Sequence, residues 1–460
     1  MTGTASDDTL EARFAARMGA LLGPDFPNDI ALAVSGGGDS MAMLALAHGW
    51  ARVYGVRLWV VTVDHGLRPE SAAEAEMVAR ECAALGHPHA TLRWQWDGTG
   101  NVQDQARRAR LRLIDQWRRA IDHVLFAHTQ DDVAETFLMR LARGSGVEGL
   151  AAMSDQRRVK LGLDGRTHLD VTETAPPPRS TRRVAGVPAY SPSFTLVRPL
   201  LHEARADLRH YADTLRVPYV DDPSNTDPRF DRARIRAALA TLADQGISTD
   251  TLARTAHRMR RARPALAARA AQVAEAVVEQ ETVNDCATGD LLIDLDGFQT
   301  IERDTQLRVI AGALMWISGA TYRPRADPLE ALLDRGLSGG GGTLHGCDLR
   351  AQGVYIRISR EYAALRDLHV DLGESTVFDR RWRASGRRAP GHTLRALGED
   401  GWAQIPEKTP QSPPFHAALS LPAIFAGETV IACPALGLGD SGAIMFYPPT
   451  HRFAAFLESD

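Results

Sequence analysis

Ile30-Ala31-Leu32-Ala33-Val34, followed at once by Ser35-Gly36-Gly37-Gly38-Asp39-Ser40, is the stretch whose reading decides the fold. Five apolar residues in a row, closed by turn residues, read as a short buried strand. The glycines let the backbone turn with its N–H groups converging. Helical spacing then resumes over Ser40–Tyr54, with Met41, Leu44, Ala45 and His48 on one stripe. A strand, a glycine-rich loop and a helix in that order make a phosphate cradle, because the first helical turn leaves N–H groups unpaired and carries partial positive charge. Ser35 and Ser40 add hydroxyls, and Asp39 adds a carboxylate suited to a magnesium ion beside the phosphates. The loop lacks the Gly-Lys-Ser/Thr ending of a Walker A motif, so no lysine reaches for a γ-phosphate. It also lacks G-x-G-x-x-G spacing, which argues against a dinucleotide.

Outward from that loop the alternation continues. Leu58–Val63 reads as a second strand, and Ser71–Leu85 as a second helix with Ser71 as its N-cap. His89–Trp94 reads as a third strand, Asn101–Ala120 as a long arginine-rich helix, and His123–Ala127 as a fourth strand. Asp131–Ala142 is a further helix, closed by Gly144. Continuous apolar strands separated by helices predict an α/β fold built on a doubly wound parallel sheet. Residues 157–197 break the rhythm with Pro176–Pro178, Pro188 and Pro192, and predict a long surface loop or irregular hairpin. From about 204 to 280 the chain is rich in Ala, Arg and Leu at helical spacing; from about 290 strands and helices mix, past a glycine run at Ser338–Gly342. A basic stretch follows Phe378, with Arg380, Arg381, Arg383, Arg387, Arg388 and Arg395. The expected organisation is an N-terminal domain over 1–225, a helical α+β middle domain over 226–370 and a small C-terminal domain over 371–460.

At 460 residues the chain exceeds one ordinary core, and 44% hydrophobic with 24% charged residues is an ordinary globular balance. The longest apolar run, Val309–Ile317, is far short of the roughly 20 residues a membrane span needs. The N-terminus carries Asp7 and Asp8 and no basic region ahead of an apolar one, so the expectation is a cytoplasmic protein without membrane association. Cys82, Cys286, Cys347 and Cys433 lie far apart with no C-x-x-C pair, which speaks against zinc ribbons and iron–sulfur sites. The net charge of −4 does not by itself indicate a nucleic-acid partner. Only Lys160 and Lys408 are lysines, so 51 of the 53 basic residues are arginine. Arginine forks suit phosphate and base stacking, although a GC-rich genome gives the same bias.

Two carboxylates, Asp132 and Glu135, stand three apart and so share a helix face. Such a pair suits an ammonium group and its proton; the competing reading is a helix N-terminus furnished with acids to match its dipole. Arg107, Arg110 and Arg198 suit a phosphate of ATP or RNA, with a solvated helix face as the competing reading for the first two. His65 and His128, each after a strand, read as hydrogen-bonding rather than catalytic residues.

Ser35–Ser40 resembles the SGGxDS signature of PP-loop ATP pyrophosphatases, which bind the pyrophosphate of ATP and cleave between its α and β phosphates. Further segments resemble the tRNA(Ile)-lysidine synthetase family. They are Val63-Asp64-His65-Gly66-Leu67-Arg68, Asn101-Val102-Gln103 with Ala106-Arg107 and Arg110, Ala127-His128 with Asp131-Asp132-Val133-Ala134-Glu135-Thr136, Arg198-Pro199-Leu200-Leu201, and Asp222-Pro223-Ser224-Asn225. They fall in order over about 200 residues. One departure is Ala233, within Arg232–Arg236, where the family has Asn.

The resemblance implies an adenine nucleotide hydrolase-like fold, ATP and Mg2+ as cofactors, and L-lysine and the CAU-anticodon tRNA(Ile) as substrates. No obligatory protein partner is implied. It places ATP at Ser35, Gly36, Gly37, Gly38, Asp39, Ser40, Asp64 and His65, with the metal at Asp39. Asp39, Arg107, Arg110, Asp132 and Glu135 become the catalytic set, and Arg198 a contact to substrate or tRNA. The chemistry is coherent: the oxygen on carbon 2 of cytosine is a poor leaving group until it attacks the ATP α-phosphate. A lysine amine can then add at carbon 2 and expel AMP. The rival readings are a 2-thiolating PP-loop enzyme, disfavoured by the isolated cysteines, and a non-catalytic RNA-binding protein with a relic loop.

Overall fold

The computed structural model describes residues 9–67, 70–96, 98–100, 102–160, 170–172, 191, 193–221, 231–373, 376–384, 391–448, 450 and 452–459. Arg68, Asn101, Arg179–Arg183, Asp222–Asn225, Arg387 and Arg388 lie outside the described residues. The chain divides into two compact units, Met1–Arg260 and Arg261–Asp460.

The first unit opens with α1 (Leu10–Leu22) and continues through β1 (Asp29–Ala33), α2 (Gly38–Tyr54), β2 (Arg57–Asp64), α3 (Ser71–Leu85), β3 (His89–Arg93), α4 (Val102–Arg118), β4 (His123–Phe126) and α5 (Gln130–Leu141). After α6 (Val147–Leu150) come β5 (Gln156–Val159), β6 (Asp170–Thr172), β7 (Phe194–Val197), α7 (Arg205–Thr214) and α8 (Asp231–Asp244), with α9 (Thr249–Val277) running across the division. Among the described residues one seven-stranded sheet forms, in the order β5-β7-β4-β1-β2-β3-β6. Its five central strands are parallel and both edge strands antiparallel.

Alternation along the strands explains why both faces are covered. Ile30, Leu32, Leu58, Val60, Leu125 and Val197 pack with Met41, Leu44, Phe14 and Leu208 in one core. Ala31, Trp59, Val61, Val124, Phe126 and Leu196 point the other way, onto Leu113, Ile114 and Trp117 of α4. β1, β2 and β4 are therefore apolar on both faces through their middle residues, as the unbroken runs require. No helix among the described residues is long and apolar enough to cross a membrane.

Two local expectations are corrected. Ser71 is the first residue of α3 rather than its N-cap; Glu70 holds that position in a helical conformation, without a side-chain cap bond. The ends of the stretch 157–197 pair as the hairpin reading has it, β5 with β7, but the returning strand is buried in the sheet rather than on the surface. Phe194–Val197 forms β7, parallel to β4 and antiparallel to β5, with Phe194, Leu196 and Val197 buried. The prolines sit outside the apolar Phe-Thr-Leu-Val run, which is free to join the sheet.

The second unit has a five-stranded antiparallel sheet, β10-β11-β12-β9-β8, from β8 (Val278–Val283), β9 (Cys286–Asp294), β10 (Gly341–Leu344), β11 (Cys347–Gln352) and β12 (Tyr355–Arg360). Leu291, Ile293, Ile356 and Ile358 bury against Val309, Leu314 and Trp316 of α10 (Arg303–Ser318) and Leu332 of α11 (Ala326–Leu337). Two smaller antiparallel sheets follow over residues 369–446. Within the basic stretch, Arg381 is not a surface cation: it is 2% exposed and bound to Asp379 and the Gly289 carbonyl. Arg395 lies over the Phe425 ring at 3.9 Å and reaches Glu428.

Candidate nucleotide and amino-acid site

The site grows from the sheet order. β1 has β2 on one side and β4 on the other, so the chain winds outward in opposite directions from β1 and β4. Loops leaving the carboxyl ends of two such strands diverge, and the crevice between them is where open α/β sheets bind ligands. Here the two loops are Ser35–Gly37, leading into α2, and Ala127–Thr129, leading into α5.

In the first loop Gly36 has φ of 89°, the left-handed region that a side chain resists. Its carbonyl accepts from the Val220 N–H at 3.0 Å, which pins the loop to the strand-like segment before residue 222. The α2 helix starts at Gly38, two residues earlier than the periodicity indicated, so Asp39 stands in its first turn. The Ser40 hydroxyl is also bonded within the loop. Its Oγ donates to the Gly37 carbonyl at 2.9 Å and accepts from the Ser35 N–H at 3.1 Å, bracing the loop from inside.

In the second loop Thr129 and Asp132 form a reciprocal capping box, with the Thr129 N–H on Asp132 Oδ2 at 2.9 Å. One Asp132 oxygen thus serves the helix end, and the other faces away from it. Asp39, Asp132 and Glu135 converge on one residue absent from the expected set, Arg205. Its Nε donates to Asp39 Oδ2 at 3.0 Å, Nη1 to Glu135 Oε1 at 3.0 Å and Nη2 to Asp132 Oδ1 at 3.4 Å. Arg236 Nε also donates to Glu135 Oε1, at 2.6 Å. The Arg205 N–H donates to Asp131 Oδ2 at 2.8 Å, supplying the cap that Ala204 cannot. Glu135 is 2% exposed, and its Oε2 has no hydrogen-bond partner.

The charges follow from these neighbours. Burial raises the Asp39 carboxyl, and the Arg205 guanidinium opposes that rise. Asp132 is buried as well, yet His128, Arg205 and the Thr129 N–H together hold it below the usual carboxylate range. Arg205 loses to burial but gains more from Asp132, Asp39 and Glu135, so its pKa rises.

A cationic half lies beside this acidic one. Burial, then Arg107 and Arg232, lowers Arg110 to about 10. Burial, then Arg157 and Arg107, lowers Arg198 to about 10. The Nε atoms of Arg110 and Arg198 are buried without partners, as are Nδ1 of His65 and His128. Burial pushes His128 down to about 3 and His65 to about 4, so both rings are neutral at pH 7. Arg110 stays charged, 5.5 Å above the Phe126 ring. Like charges gathered around unpaired buried N–H groups suit an anion. Arg198 is partly committed already, since its Nη1 donates to the Ser154 carbonyl. Asp64 accepts from the Gly66 N–H at 2.9 Å, shaping the turn that carries His65.

Arg205 and Arg236 escaped the sequence reading, though each left a signal. An arginine at the first position of a helix opposes the helix dipole and calls for a carboxylate partner. Arg236 closes the same Arg232–Arg236 stretch in which Ala233 departs from the family pattern.

A strand–glycine loop–helix at a switch-point crevice defines a PP-loop protein, and the family described as PP-loop domain matches residues 10–175 and 177–243. The tRNA(Ile)-lysidine synthase of Ruegeria pomeroyi is 38% identical over 424 residues, covering 90% of this chain and 90% of that one. That of Wolbachia pipientis wMel is 32% identical over 434 residues, 89% of each. A solved U34-tRNA thiolase, NcsA from Methanococcus maripaludis, aligns at TM-score 0.39 and 17% identity over 54% of this chain and 78% of that one, too slight a likeness to bear on function. The chain belongs to the tRNA(Ile)-lysidine synthase family and is an ATP-dependent enzyme.

Proposed function

We propose that the protein ligates L-lysine to carbon 2 of the wobble cytidine in the CAU-anticodon tRNA(Ile), as a cytoplasmic carbon–nitrogen ligase. The cytidine oxygen attacks the α-phosphorus of ATP and pyrophosphate leaves. The lysine amine then adds at carbon 2, loses a proton, and AMP leaves with the oxygen. The observation that carries this reading is the convergence of Asp39, Asp132 and Glu135 at the mouth of the glycine loop, beside the arginine group. The loop amides hold the pyrophosphate, and Asp64 and His65 border the nucleoside. Arg107, Arg110 and Arg198 offset phosphate charge as it develops. Asp132 and Glu135 bind the lysine ammonium, for which the unpartnered Glu135 Oε2 is a ready acceptor.

Magnesium binds through one or two carboxylates, phosphate oxygens and water. Asp39, at the loop and partly exposed, fits that demand; among the described residues no three His, Cys, Asp or Glu side chains form a self-contained cage. When bound, the ion would neutralise phosphate charge. We keep the three-part division at 225 and 370 as the proposed domain limits, the last domain serving tRNA.

The thiolation alternative has little to work with. Cys82, Cys347 and Cys433 are buried, and burial pushes each thiol up to about 12, away from the reactive thiolate. The test is AMP release from α-labelled ATP. AMP should form only when tRNA and lysine are both present at catalytic turnover; release dependent on a sulfur donor instead would overturn the reading.

A further inference from the structure

Arg205 is shared between two parts of the site that ligands enter separately. Its Nε is on Asp39, in the phosphate loop, while Nη1 and Nη2 are on Glu135 and Asp132 of α5. Its backbone is anchored through Asp131, and its side chain is 20% exposed, so a ligand can reach the guanidinium while its Cα stays held. An ammonium group entering between Asp132 and Glu135 finds Asp132 Oδ1 and Glu135 Oε1 already holding Arg205, and Glu135 Oε1 holding Arg236 as well. Glu135 Oε2 is the buried acceptor left without a partner.

We propose that Arg205 couples the two half-sites. Without nucleotide it occupies the carboxylates as an internal cation and keeps the amino acid out. With polyphosphate in the loop it turns toward phosphate and vacates them. This rests on the lysine-joining reading above. The physical ground is competition for one guanidinium. A nucleotide polyphosphate brings several negative charges to the loop whose Asp39 is 3.0 Å from Arg205 Nε, and phosphate accepts the arginine fork as well as carboxylate does. A ligand that draws Arg205 away lowers the cost of admitting the ammonium, and linkage makes the effect reciprocal. The enzyme then takes lysine only after nucleotide is in place.

Calorimetric titration of lysine, with and without the magnesium complex of a non-hydrolysable α,β-methylene ATP analogue, tests this on the full chain. The wild type should bind lysine at least about 10-fold more tightly with the analogue, within the usual range of coupling between sites. Arg205→Gln should bind lysine without nucleotide, and the analogue should change its affinity less than about 2-fold. Arg205→Lys, which keeps a cation on a shorter reach, should retain part of the coupling and stands in if the Gln variant does not fold. Equal lysine affinity of the wild type in both states, or full coupling in Arg205→Gln, would overturn the proposal. No lysine binding by either protein in any state removes the lysine reading itself, and this inference with it.

Discussion

Arg205 and Asp39 lie 166 residues apart in the chain and meet at 3.0 Å, Nε to Oδ2, at the point where the loop after β1 faces the helix after β4. That ion pair joins the glycine loop to the acidic pair on α5. It is partly buried, with both side chains about one-fifth exposed, so it is less screened than a surface pair and still within reach of a ligand.

Asp39→Asn keeps the shape of the loop and one acceptor for Arg205 while removing the charge suited to magnesium. We expect AMP formation to fall about 100-fold or more with the fold intact. Ser40→Ala should fall less in turnover and more in stability, because its hydroxyl bonds stay within the loop. Steady-state rates and melting curves for the two variants check this; equal turnover by Asp39→Asn and wild type would remove the nucleotide from this loop.

Asp132→Asn with Glu135→Gln separates the half-reactions. Adenylation involves no lysine, so adenylated tRNA should form and accumulate, and high lysine should rescue its conversion only in part. An ammonium taken from water needs a charged partner. Label from α-labelled ATP retained on RNA is the readout. Loss of adenylation would place the carboxylates at the metal or RNA instead.

Arg110→Met addresses the cationic half. Its Nε is buried without a partner and its charge faces Arg107 and Arg232. Removing it should leave the ligand-free protein as stable as the wild type or more so, since burial of its charge and repulsion from Arg107 and Arg232 are relieved. The KM for ATP or tRNA should rise about 10-fold, the worth of one hydrogen bond to a charged group. A large drop in melting temperature would show that Arg110 is structural.

Much of the site was legible because its residues cluster in short motifs whose chemistry is local. The strand before Ser35, the glycine loop leading into a helix and the Asp132/Glu135 face all follow from spacing within a few residues. Arg205 was not legible in that way, since its partners are reached only when the sheet order sets β1 beside β4. β7 was missed because prolines within 157–197 dominated the reading of a four-residue run, Phe194–Val197, whose burial depends on β4 being there to receive it. That Ser40 also braces the loop's own backbone is not legible in spacing, because its partners are set by the turn.

In the second unit, Arg357 Nη1 donates to Glu281 Oε2 at 2.6 Å and to Asp290 Oδ2 at 2.7 Å, all three buried. Two carboxylates share one guanidinium, and burial raises Asp290 to about 7 from an ordinary 3.8. Between those values the folded chain holds a proton that the unfolded chain has lost. Its contribution to stability is therefore complete below pH 4 and is lost as pH rises through 7. Asp290→Asn, which keeps an acceptor for Arg357, should flatten the decline in urea-unfolding free energy between pH 5 and 8. An unchanged slope would locate that proton elsewhere.

The most direct measurement is transfer of radiolabelled lysine to RNA. Purified protein is incubated with ATP, labelled lysine and total bacterial tRNA, and the labelled species is isolated and sequenced. Label is expected in one isoleucine tRNA with a CAU anticodon, on the wobble cytidine, dependent on ATP and abolished by Asp39→Asn. Label spread across many tRNAs, attached at the 3′ end, or absent despite AMP formation would contradict it.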